Sequence, residues 1–325
     1  MARKVIVDVD TGVDDALALL LAVQSPELEV VAVTCVAGNV TIDHVTRNTL
    51  ATLELAACDA PVAVGARKPL TGPLRTATYF HGANGLGDIE LVSPTRAPVD
   101  EDGPALMARL TREHPGDITI VALGPMTNLA LAILRDAEFS RNVSALVLMG
   151  GAVHHAGNAT LAAEANFSND PEAASAVVHS GAPIQLVDLG ATSQAILPLA
   201  RASLNSRRPL SPIGDFALQL LSFYTPICVS AGAAGAVLHD PLAVALAAVP
   251  SLARFIPLLL EVETGGTYSR GATIGSFSGL STRMEAVGDR LDATGLEPAR
   301  FNASVAREID VTGFLELFLE RLELS

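Results

Sequence analysis

The chain has 325 residues, a formal net charge of -14 at pH 7 and an apolar fraction of 50%. This length and apolar content suffice for one large α/β domain or two smaller ones with a substantial core. The negative charge, without any long basic run, argues against a nucleic-acid partner. No apolar run reaches the roughly 18 uninterrupted residues of a membrane span, so we expect no insertion in a membrane.

The cysteines and the N-terminal residues bear on the cellular compartment. Cys35, Cys58 and Cys228 are too scattered for a disulfide framework or a cysteine-based metal site. The opening MARKVIVDVD passes from basic residues into a short apolar run without the features of a secretion signal. Both observations predict a cytoplasmic protein with reduced thiols.

Strand-like and helix-like runs alternate across residues 4–189. In chain order they read KVIVDV, VDDALALLLAVQ, LEVVAVTCVAG, TIDHVTRNTLATLELA, ITIVAL, TNLALAILRD, ALVLMGG, PEAASAVVHS and PIQLVDL. Such alternation predicts parallel strands joined by helical crossovers. Strands this continuously apolar are covered by helices on both faces. We therefore expect a Rossmann-like α/β fold with a mostly parallel central sheet flanked by helices.

The later part of the chain is less regular. Around residues 195–239 the strand pattern disappears, which predicts a mainly helical elaboration that includes DFALQLLSFYTPICVSAG. Two more strand-like runs, FIPLLLEVET and ASVAREIDV, flank a Gly-rich stretch near residues 264–280, and TGFLELFLERL predicts a closing helix. Because no linker or repeat marks a boundary, we expect residues 1–325 to form a single domain.

Four acids, Asp8, Asp10, Asp14 and Asp15, stand between the first strand and the first helix. Acids in a first helical turn are ordinarily caps, but the helix dipole does not explain two more at the strand end. Asp8 and Asp10 are two apart and are predicted to project from one face. Carboxylates this close repel each other unless a cation lies among them, and oxygen ligands favour Ca²⁺ or Mg²⁺. The spacing fits neither an EF-hand nor a GxxxxGK[ST] loop.

Other polar segments are candidate sites with structural alternatives. In VLHDPLAVALAAV, His239 precedes Asp240 and Pro241, which would suit an N-cap and a first helical position. Asn39 follows the second strand, and His81 lies in the Gly-rich FHGANGLGD. Each is a weak indication alone, although loops after parallel strands meet at one edge of the sheet.

The segment GNATLAAEANFSNDPEAA carries Asn158, Glu164 and Asn166. Glu164 and Asn166 are two apart, so they share a side if this chain is extended. Amide and carboxylate groups held in this way suit the vicinal hydroxyls of a sugar. A polar surface loop is the alternative interpretation.

The opening DVDTGVDDA resembles the DxDxGxDD hallmark of the inosine-uridine preferring nucleoside hydrolases. VAGN, HGANGLG, LGPMTNLA, VLMGGA, GNAT, AEANFSNDPEAA and HDP continue the resemblance in order over essentially the whole chain. The resemblance implies a nucleoside hydrolase fold and hydrolysis of a ribonucleoside to ribose and free base, using a Ca²⁺-bound water. It also implies purine or pyrimidine salvage and a homo-oligomer, either a dimer or a tetramer.

The resemblance further implies roles for individual residues. Asp10 would be the general base, His239 would assist the departing base, and Asn39 would orient the water or the sugar. The implied Ca²⁺ ligands are Asp10, Asp15, the Leu123 carbonyl and Asp240. The implied substrate-binding residues are Asp14, His81, Met149, Asn158, Glu164 and Asn166.

Several positions depart from the family pattern. Thr11 stands where a Pro is frequent, and Leu123 replaces a common Thr. Ala165 stands where some members carry an aromatic residue, and Cys228 falls near a Tyr that contacts the base in some members. The chain has no Trp, so stacking on a purine is left to Phe167, Phe223 or Tyr224. In having His239, the chain is similar to the nonspecific or pyrimidine-accepting subgroups of the family. The base that the enzyme prefers stays open.

Two other functions compete with nucleoside hydrolysis. A Mg²⁺-dependent haloacid dehalogenase-like phosphatase also begins with a strand ending in DxD, but it requires DxDGT where this chain reads DVDTG. A non-catalytic nucleoside- or ribose-binding protein would use the same polar groups without cleavage. The pairing of a candidate base, Asp10, with His239 favours catalysis.

Overall fold

A computed structural model of the chain describes residues 2–199, 211–277 and 301–324. In these ranges the strands are β1 (Arg3–Val9), β2 (Leu28–Cys35), β3 (Val62–Val64), β4 (Ile118–Ala122), β5 (Ala145–Met149), β6 (Ile184–Val187), β7 (Ile196–Pro198), β8 (Gly235–Val237), β9 (Arg254–Val262), β10 (Thr273–Ser276) and β11 (Ala303–Arg307). The helices are α1 (Val13–Val23), α2 (Ile42–Leu55), α3 (Thr78–His81), α4 (Gly103–Glu113), α5 (Thr127–Arg135), α6 (Phe139–Asn142), α7 (Ala165–Asn169), α8 (Pro171–Val178), α9 (Leu189–Thr192), α10 (Pro212–Ser230), α11 (His239–Ala248) and α12 (Val311–Arg321), with a 3₁₀ turn at Pro250–Leu252.

The central sheet has the strand order β10-β9-β11-β6-β5-β4-β1-β2-β3 within the described ranges. The strands from β3 to β11 in this order are all parallel. At the other edge, β9 pairs antiparallel with β11, and β10 pairs antiparallel with β9. The predicted α/β fold, with a mostly parallel sheet flanked by helices, is confirmed.

Strand β1 shows why both faces of the sheet must be covered. Val5, Val7 and Val9 contribute to one buried apolar cluster, which also contains α1 and α11 residues. Ile6 points to the opposite cluster, which contains residues of α5 and α8. Since side chains alternate along a strand, each face of β1 needs its own layer of helices.

The order of the strands determines where a ligand can bind. The chain runs outward from β1 through β2 to β3, and then returns to place β4 on the other side of β1. At such a switch point the loops after neighbouring strands diverge and leave a crevice at their carboxyl ends. Asp10 follows β1 and Leu123 follows β4, so both lie beside this crevice.

The expectation of a mainly helical region around residues 195–239 needs a correction. The 19-residue α10 lies in it, but β7 and β8 also lie there and pair antiparallel with each other. Each has three residues, which is too short to show a period in the sequence. Residues 200–210 of this region, and residues 278–280 of the Gly-rich stretch, lie outside the described residues.

Helix α10 is long and apolar enough to cross a membrane by length and composition alone. Phe216, Leu220 and Tyr224 on this helix are nevertheless buried in the interior of the protein. A core helix of a globular protein has the same composition.

Candidate active site

Asp10 lies directly after β1, and only one of its two carboxylate oxygens has a hydrogen-bond partner. The backbone N–H of Asn39 donates to Asp10 Oδ2 at 2.7 Å. Asp10 Oδ1 is buried without a partner among the described residues. A Cβ at Gly38 would lie 2.0 Å from Oδ2, and one at Gly124 would lie 2.9 Å from Oδ1. Glycine at both positions therefore makes room for this carboxylate.

Asp15 supports the start of α1, as the capping alternative predicts. Its Oδ2 accepts from the backbone N–H of Gly12 at 2.9 Å, and its Oδ1 accepts from the N–H of Asp10 at 3.1 Å. The side-chain amide of Asn39 also donates to Oδ2, at 3.1 Å. Asn39 thus connects Asp15 to Asp10 at the beginning of the helix.

Asp240 joins the opening acids from a distant part of the sequence. Carboxylate oxygens of Asp14, Asp15 and Asp240 lie within 4.8 Å of one another, and all three residues are buried. The N-cap interpretation of Asp240 is wrong, because α11 begins at His239 and its N-cap is Leu238. Asp240 therefore has no capping role to explain its burial beside two other acids.

The acid cluster, defined as Asp10, Asp14, Asp15 and Asp240, has no Lys or Arg counter-charge among the described residues. Burial, reinforced by the other acids, raises the pKa of Asp10 and of Asp240 well above the ordinary range. Burial also raises the pKa of Asp14 and of Asp15 to about 6. In the part of the chain that the structure describes, no ion pair joins the cluster to a Lys or Arg. A hard cation among these oxygens would relieve both the repulsion and the missing hydrogen bonds.

Asp8, the first acid of the opening, is held apart from the cluster. It lies within β1, and its Oδ1 accepts from Thr34 Oγ1 at 2.6 Å and from Asn128 Nδ2 at 2.8 Å. Its Oδ2 is buried without a partner among the described residues, and burial raises the pKa of Asp8 to about 7. These neutral partners connect β1 to β2 and α5.

The carbonyl of Leu123 lies at the same edge of the sheet. The N–H of Leu123 donates to the Asp8 carbonyl at 2.8 Å, which continues the pairing of β4 with β1. Asn166 Nδ2 donates to the Leu123 carbonyl at 2.6 Å and to the Met149 carbonyl at 3.1 Å. Three residues predicted to take part in the site, Leu123, Met149 and Asn166, are thus brought together.

Glu164 and Asn166 do not lie together on an extended segment, the condition under which they would share a side. Glu164 is the N-cap of the short helix α7, and its Oε1 accepts from the N–H of Asn166 at 2.8 Å. Its Oε2 accepts from the N–H groups of Gly151 and Phe167 at 3.0 and 3.1 Å. Asn158 Oδ1 accepts from the N–H of Ala165 at 2.9 Å. Burial raises the pKa of Glu164 to about 7.

His81, the last residue of α3, faces the acids. Its Nδ1 accepts from the backbone N–H of Val13 at 3.1 Å and lies 3.7 Å from Asp14 Oδ1. Burial lowers the pKa of His81 to about 4, although Asp15 acts in the opposite direction. The ring stacks on Tyr224 with centroids 6.3 Å apart, and Phe80 meets Tyr224 edge-on at 5.6 Å. An aromatic wall therefore stands beside the acid cluster.

The three aromatic residues available for stacking on a base have different surroundings. Phe167 is fully buried, and a Cβ at Gly150 would meet its ring at 2.6 Å. Phe223 packs in the same way against Gly87. Tyr224 contacts His81, and its pKa is raised by burial and by the charge of Asp14. Cys228, one of the positions that depart from the family pattern, lies beside Tyr224 of this wall. Burial raises the pKa of its thiol.

His239 is half-buried at the start of α11 and has a partner that the sequence did not indicate. Its Nδ1 lies 2.8 Å from Thr192 Oγ1, across 47 positions of sequence. Burial and, to a smaller extent, His81 lower the pKa of His239 to about 4. Thr192 lies in ATSQA, which has no feature that marks it as functional.

Comparisons with known proteins agree with this arrangement. The family model for inosine-uridine preferring nucleoside hydrolases matches residues 5–316. Uridine nucleosidase 1 of Arabidopsis thaliana is 37% identical, over 98% of this chain and 93% of its own. Pyrimidine-specific ribonucleoside hydrolase RihA of Citrobacter koseri is 39% identical, over 99% of this chain and 98% of its own. A solved plant nucleoside hydrolase has 36% identity and a TM-score of 0.89, with 99% of each chain covered.

These findings favour the enzyme over the two competing functions. The family match covers the opening acids, the Leu123 segment and the His239 segment together. Each relative named above is called a nucleosidase or a hydrolase, and none is called a phosphatase or a binding protein. The chain is therefore a nucleoside hydrolase, an enzyme that acts on N-glycosyl compounds, and it belongs to the inosine-uridine preferring nucleoside hydrolase family.

Proposed function

We propose that this protein is a Ca²⁺-dependent ribonucleoside hydrolase that releases ribose and a free base, with uridine and other pyrimidine ribonucleosides as preferred substrates. The observation that carries the proposal is the acid cluster, where buried carboxylates converge and Asp10 Oδ1 and Asp14 Oδ1 lack partners among the described residues. The names of the two curated relatives support the choice of pyrimidine.

The oxygen donors present suit a calcium ion. Asp10, Asp15, Asp240 and the Leu123 carbonyl would hold it. Asp14 adjoins Asp15 and Asp240 closely enough to share this role or to face the sugar. Ca²⁺ accepts six to eight oxygens in flexible geometry, whereas Mg²⁺ requires a nearly ideal octahedron and retains several waters. When bound, Ca²⁺ lowers the pKa of a bound water modestly and positions it.

Asp10 is the proposed general base. The Asn39 N–H holds Oδ2, which leaves the lone pairs of Oδ1 available for a proton from water. General-base assistance is typically worth about 10²- to 10⁴-fold in rate. Asn39 therefore acts through Asp10 and Asp15, both of which it contacts.

The ribose would be held by Asp14, Asn158, Glu164 and Asn166. Glu164 accepts three backbone hydrogen bonds, which fixes its carboxylate in place. The side-chain nitrogen of Asn166 donates to the Leu123 and Met149 carbonyls and to Met149 Sδ, so its Oδ1 can accept from a sugar hydroxyl. Anionic groups around the ring also favour the positive charge that develops on ribose as the glycosidic bond breaks.

The departing base would face His81, His239 and Tyr224. Because the pKa of each histidine is lowered to about 4, both rings are neutral at pH 7. A neutral imidazole assists the base by donating an N–H hydrogen bond. The chain has no Trp for broad stacking on a purine, which agrees with a preference for the smaller pyrimidine ring.

The decisive experiment measures release of reducing sugar from a panel of purine and pyrimidine ribonucleosides. The purified protein is compared before chelation, after chelation, and after Ca²⁺ or Mg²⁺ is restored. We expect uridine to be cleaved fastest, with activity lost on chelation and recovered with Ca²⁺. A folded, Ca²⁺-loaded protein that cleaves no ribonucleoside would contradict the proposal, and recovery with Mg²⁺ alone would contradict the choice of metal.

Three broader features stay predictions. We expect a role in nucleoside salvage, a cytoplasmic location, and a homo-oligomer, either a dimer or a tetramer. We also expect residues 1–325 to form a single domain. Light scattering of the purified protein measures the oligomeric state, and a single cooperative unfolding transition is the result expected of one domain.

A further inference from the structure

The hydroxyl of Thr192 has one described partner, the Nδ1 atom of His239, at 2.8 Å. Thr192 is fully buried, so water does not compete for this hydroxyl. A buried hydroxyl retains one hydrogen to donate, and the unprotonated ring nitrogen is its acceptor. If Nδ1 carried the hydrogen instead, the Thr192 hydroxyl hydrogen would lack an acceptor among the described residues. The arrangement therefore favours the neutral imidazole whose hydrogen is on Nε2.

The position of Thr192 is set by the scaffold. Thr192 ends α9, which directly follows β6. Asp188 caps this helix by accepting from the N–H of Ala191 at 3.2 Å, and it also accepts from the N–H of Val153 at 2.9 Å. Arg307 Nη1 donates to Asp188 at 2.7 Å. A helix of one turn is thus fixed to two neighbouring segments.

The position of His239 is set from the other side of the same structure. Strand β7 follows α9, strand β8 precedes α11, and the two pair with Ile196 opposite Val237. The N–H of Leu238 then donates to the Ala195 carbonyl at 2.9 Å. This backbone pairing brings Thr192 and His239 to hydrogen-bonding distance although they are far apart in the sequence.

We propose that Thr192 is a positioning residue, which holds His239 in the tautomer with its hydrogen on Nε2 and so presents that N–H to the departing base. The inference rests on the proposed function. When the glycosidic C–N bond breaks, its electron pair stays on the base, whose nitrogen and carbonyl oxygen become better acceptors. Among the described residues Nε2 of His239 has no hydrogen-bond partner, so this N–H is available to them.

The kinetic test compares Thr192→Val with Thr192→Ser on two substrates. Valine keeps the shape of threonine and removes the hydroxyl, whereas serine keeps the hydroxyl. Uridine needs its departing base stabilised, but p-nitrophenyl β-D-ribofuranoside releases a stable nitrophenolate. We expect Thr192→Val to lower kcat/KM for uridine by about tenfold or more, as expected for one lost hydrogen bond. The nitrophenyl riboside should be cleaved as by the wild type, and Thr192→Ser should recover uridine cleavage.

The outcomes separate the inference from the proposed function. Equal losses on both substrates would show a purely structural role for Thr192, and no loss on uridine would show that the hydroxyl is dispensable; either overturns the inference. Wild-type protein that cleaves no ribonucleoside would instead overturn the proposed function.

An independent measurement reports the tautomer directly. Long-range ¹H–¹⁵N correlation spectra of protein labelled at histidine nitrogen distinguish Nδ1–H from Nε2–H, and His239→Ala identifies the resonances of His239. We expect the Nε2–H tautomer in the wild type and a mixture of tautomers in Thr192→Val. An Nδ1–H tautomer in the wild type would overturn the inference regardless of activity.

Discussion

Buried carboxylates at the carboxyl ends of the strands fall into two kinds. Asp188 is fully buried, and it is neutralised by Arg307 at 2.7 Å and bonded to the Val153 N–H at 2.9 Å. Asp10 and Asp14 are also buried, with 2% and 6% of their surface exposed, but each keeps a buried oxygen without a hydrogen-bond partner among the described residues. A buried charge is tolerated only when it is paired. The chain supplies the counter-charge for Asp188 and leaves that of the acid cluster to a ligand.

This difference separates scaffold from site. Asp188 caps α9 and thereby stabilises the fold. The acid cluster destabilises the metal-free fold, because its carboxylates are buried and repel one another. Four experiments can break or sharpen this comparison.

The largest effect is expected from Asp10→Asn. Asparagine keeps an oxygen for the Asn39 N–H and removes the proposed base, so kcat for uridine should fall by at least about 10²- to 10⁴-fold. Steady-state kinetics in saturating Ca²⁺ measures the loss. Asp8→Asn is the matched control, since Asp8 is buried in β1, two residues before Asp10, but is bonded to Thr34 and Asn128. Comparable losses in the two variants would contradict a special role for Asp10.

Arg307→Met tests how much the ion pair between Asp188 and Arg307 contributes to the stability of the fold. It leaves Asp188 buried without a cation, and removal of one partner of a buried ion pair typically costs about 3–5 kcal/mol. The Arg307 side chain is 20% exposed, so the lower end is expected. Urea unfolding, with the change in midpoint at constant slope, measures the loss. A loss below about 1 kcal/mol would show that this pair behaves as a surface pair.

Raising the pH should destabilise the metal-free protein, whereas Ca²⁺ should stabilise it. The change in stability with pH should be smaller than the loss in Arg307→Met. Burial raises the pKa of Asp14 and Asp15 from 3.8 to about 6, so the folded state binds their protons more tightly than the unfolded chain does. These two carboxyls therefore make stability fall as the pH rises through this range, and the raised pKa values of Asp8, Asp10, Asp240 and Glu164 act in the same direction. Together they outweigh His81 and His239, whose lowered pKa values act in the opposite direction. Ca²⁺ competes with these protons, and its stabilisation should grow over the same range, to about 2.7 kcal/mol at 100 times Kd.

Thermal unfolding between pH 4.5 and 7.5, with chelator or with Ca²⁺, measures both effects. An unfolding temperature that rises with pH in the presence of chelator would contradict the raised pKa values. If the unfolding temperature changes with pH in the same way with and without Ca²⁺, the metal does not bind at these carboxylates.

The smallest effect is expected from Arg109→Met. Arg109 pairs with Glu101 at 2.9 Å and Glu113 at 3.0 Å, but its side chain is 44% exposed. Exposed ion pairs are worth about 0.2–1 kcal/mol, so unfolding in urea should shift by no more than that. The variant also serves as the control for Arg307→Met, and an equal loss in both would remove the distinction between buried and exposed pairs.

Much of the fold could be predicted, but not all of it. The strands β1, β2, β4, β5 and β6 are apolar runs, the first four of which precede predicted helices, and all of them pair as parallel neighbours in the sheet. The prediction missed β3, which has three residues, and α4, which opens with Gly103 and Pro104, residue types that more often mark a loop. It also missed β7 and β8, because pairing with each other rather than a sequence period defines them.

Local interpretations of the site residues succeeded where the nearest neighbours decide the conformation. Asp15 caps α1 as expected, because the capped N–H groups lie within a few residues of it. The capping alternative at Asp240 does not hold, because α11 begins one residue earlier, at His239, and Glu164 and Asn166 do not share an extended segment, because α7 begins at Ala165. Tertiary contacts shift such boundaries by a residue or two, which changes what a side chain can bond.

The sequence by itself determined the family, the alternation of strands and helices, and the concentration of acids after the first strand, because these depend on residue type and short spacing. Only the tertiary structure decided which acids meet. Asp240 joins Asp14 and Asp15, while Asp8 turns to Thr34 and Asn128. It also decided that Thr192 contacts His239. Parallel sheets bring distant strand ends to one edge, and local sequence carries no record of that distance.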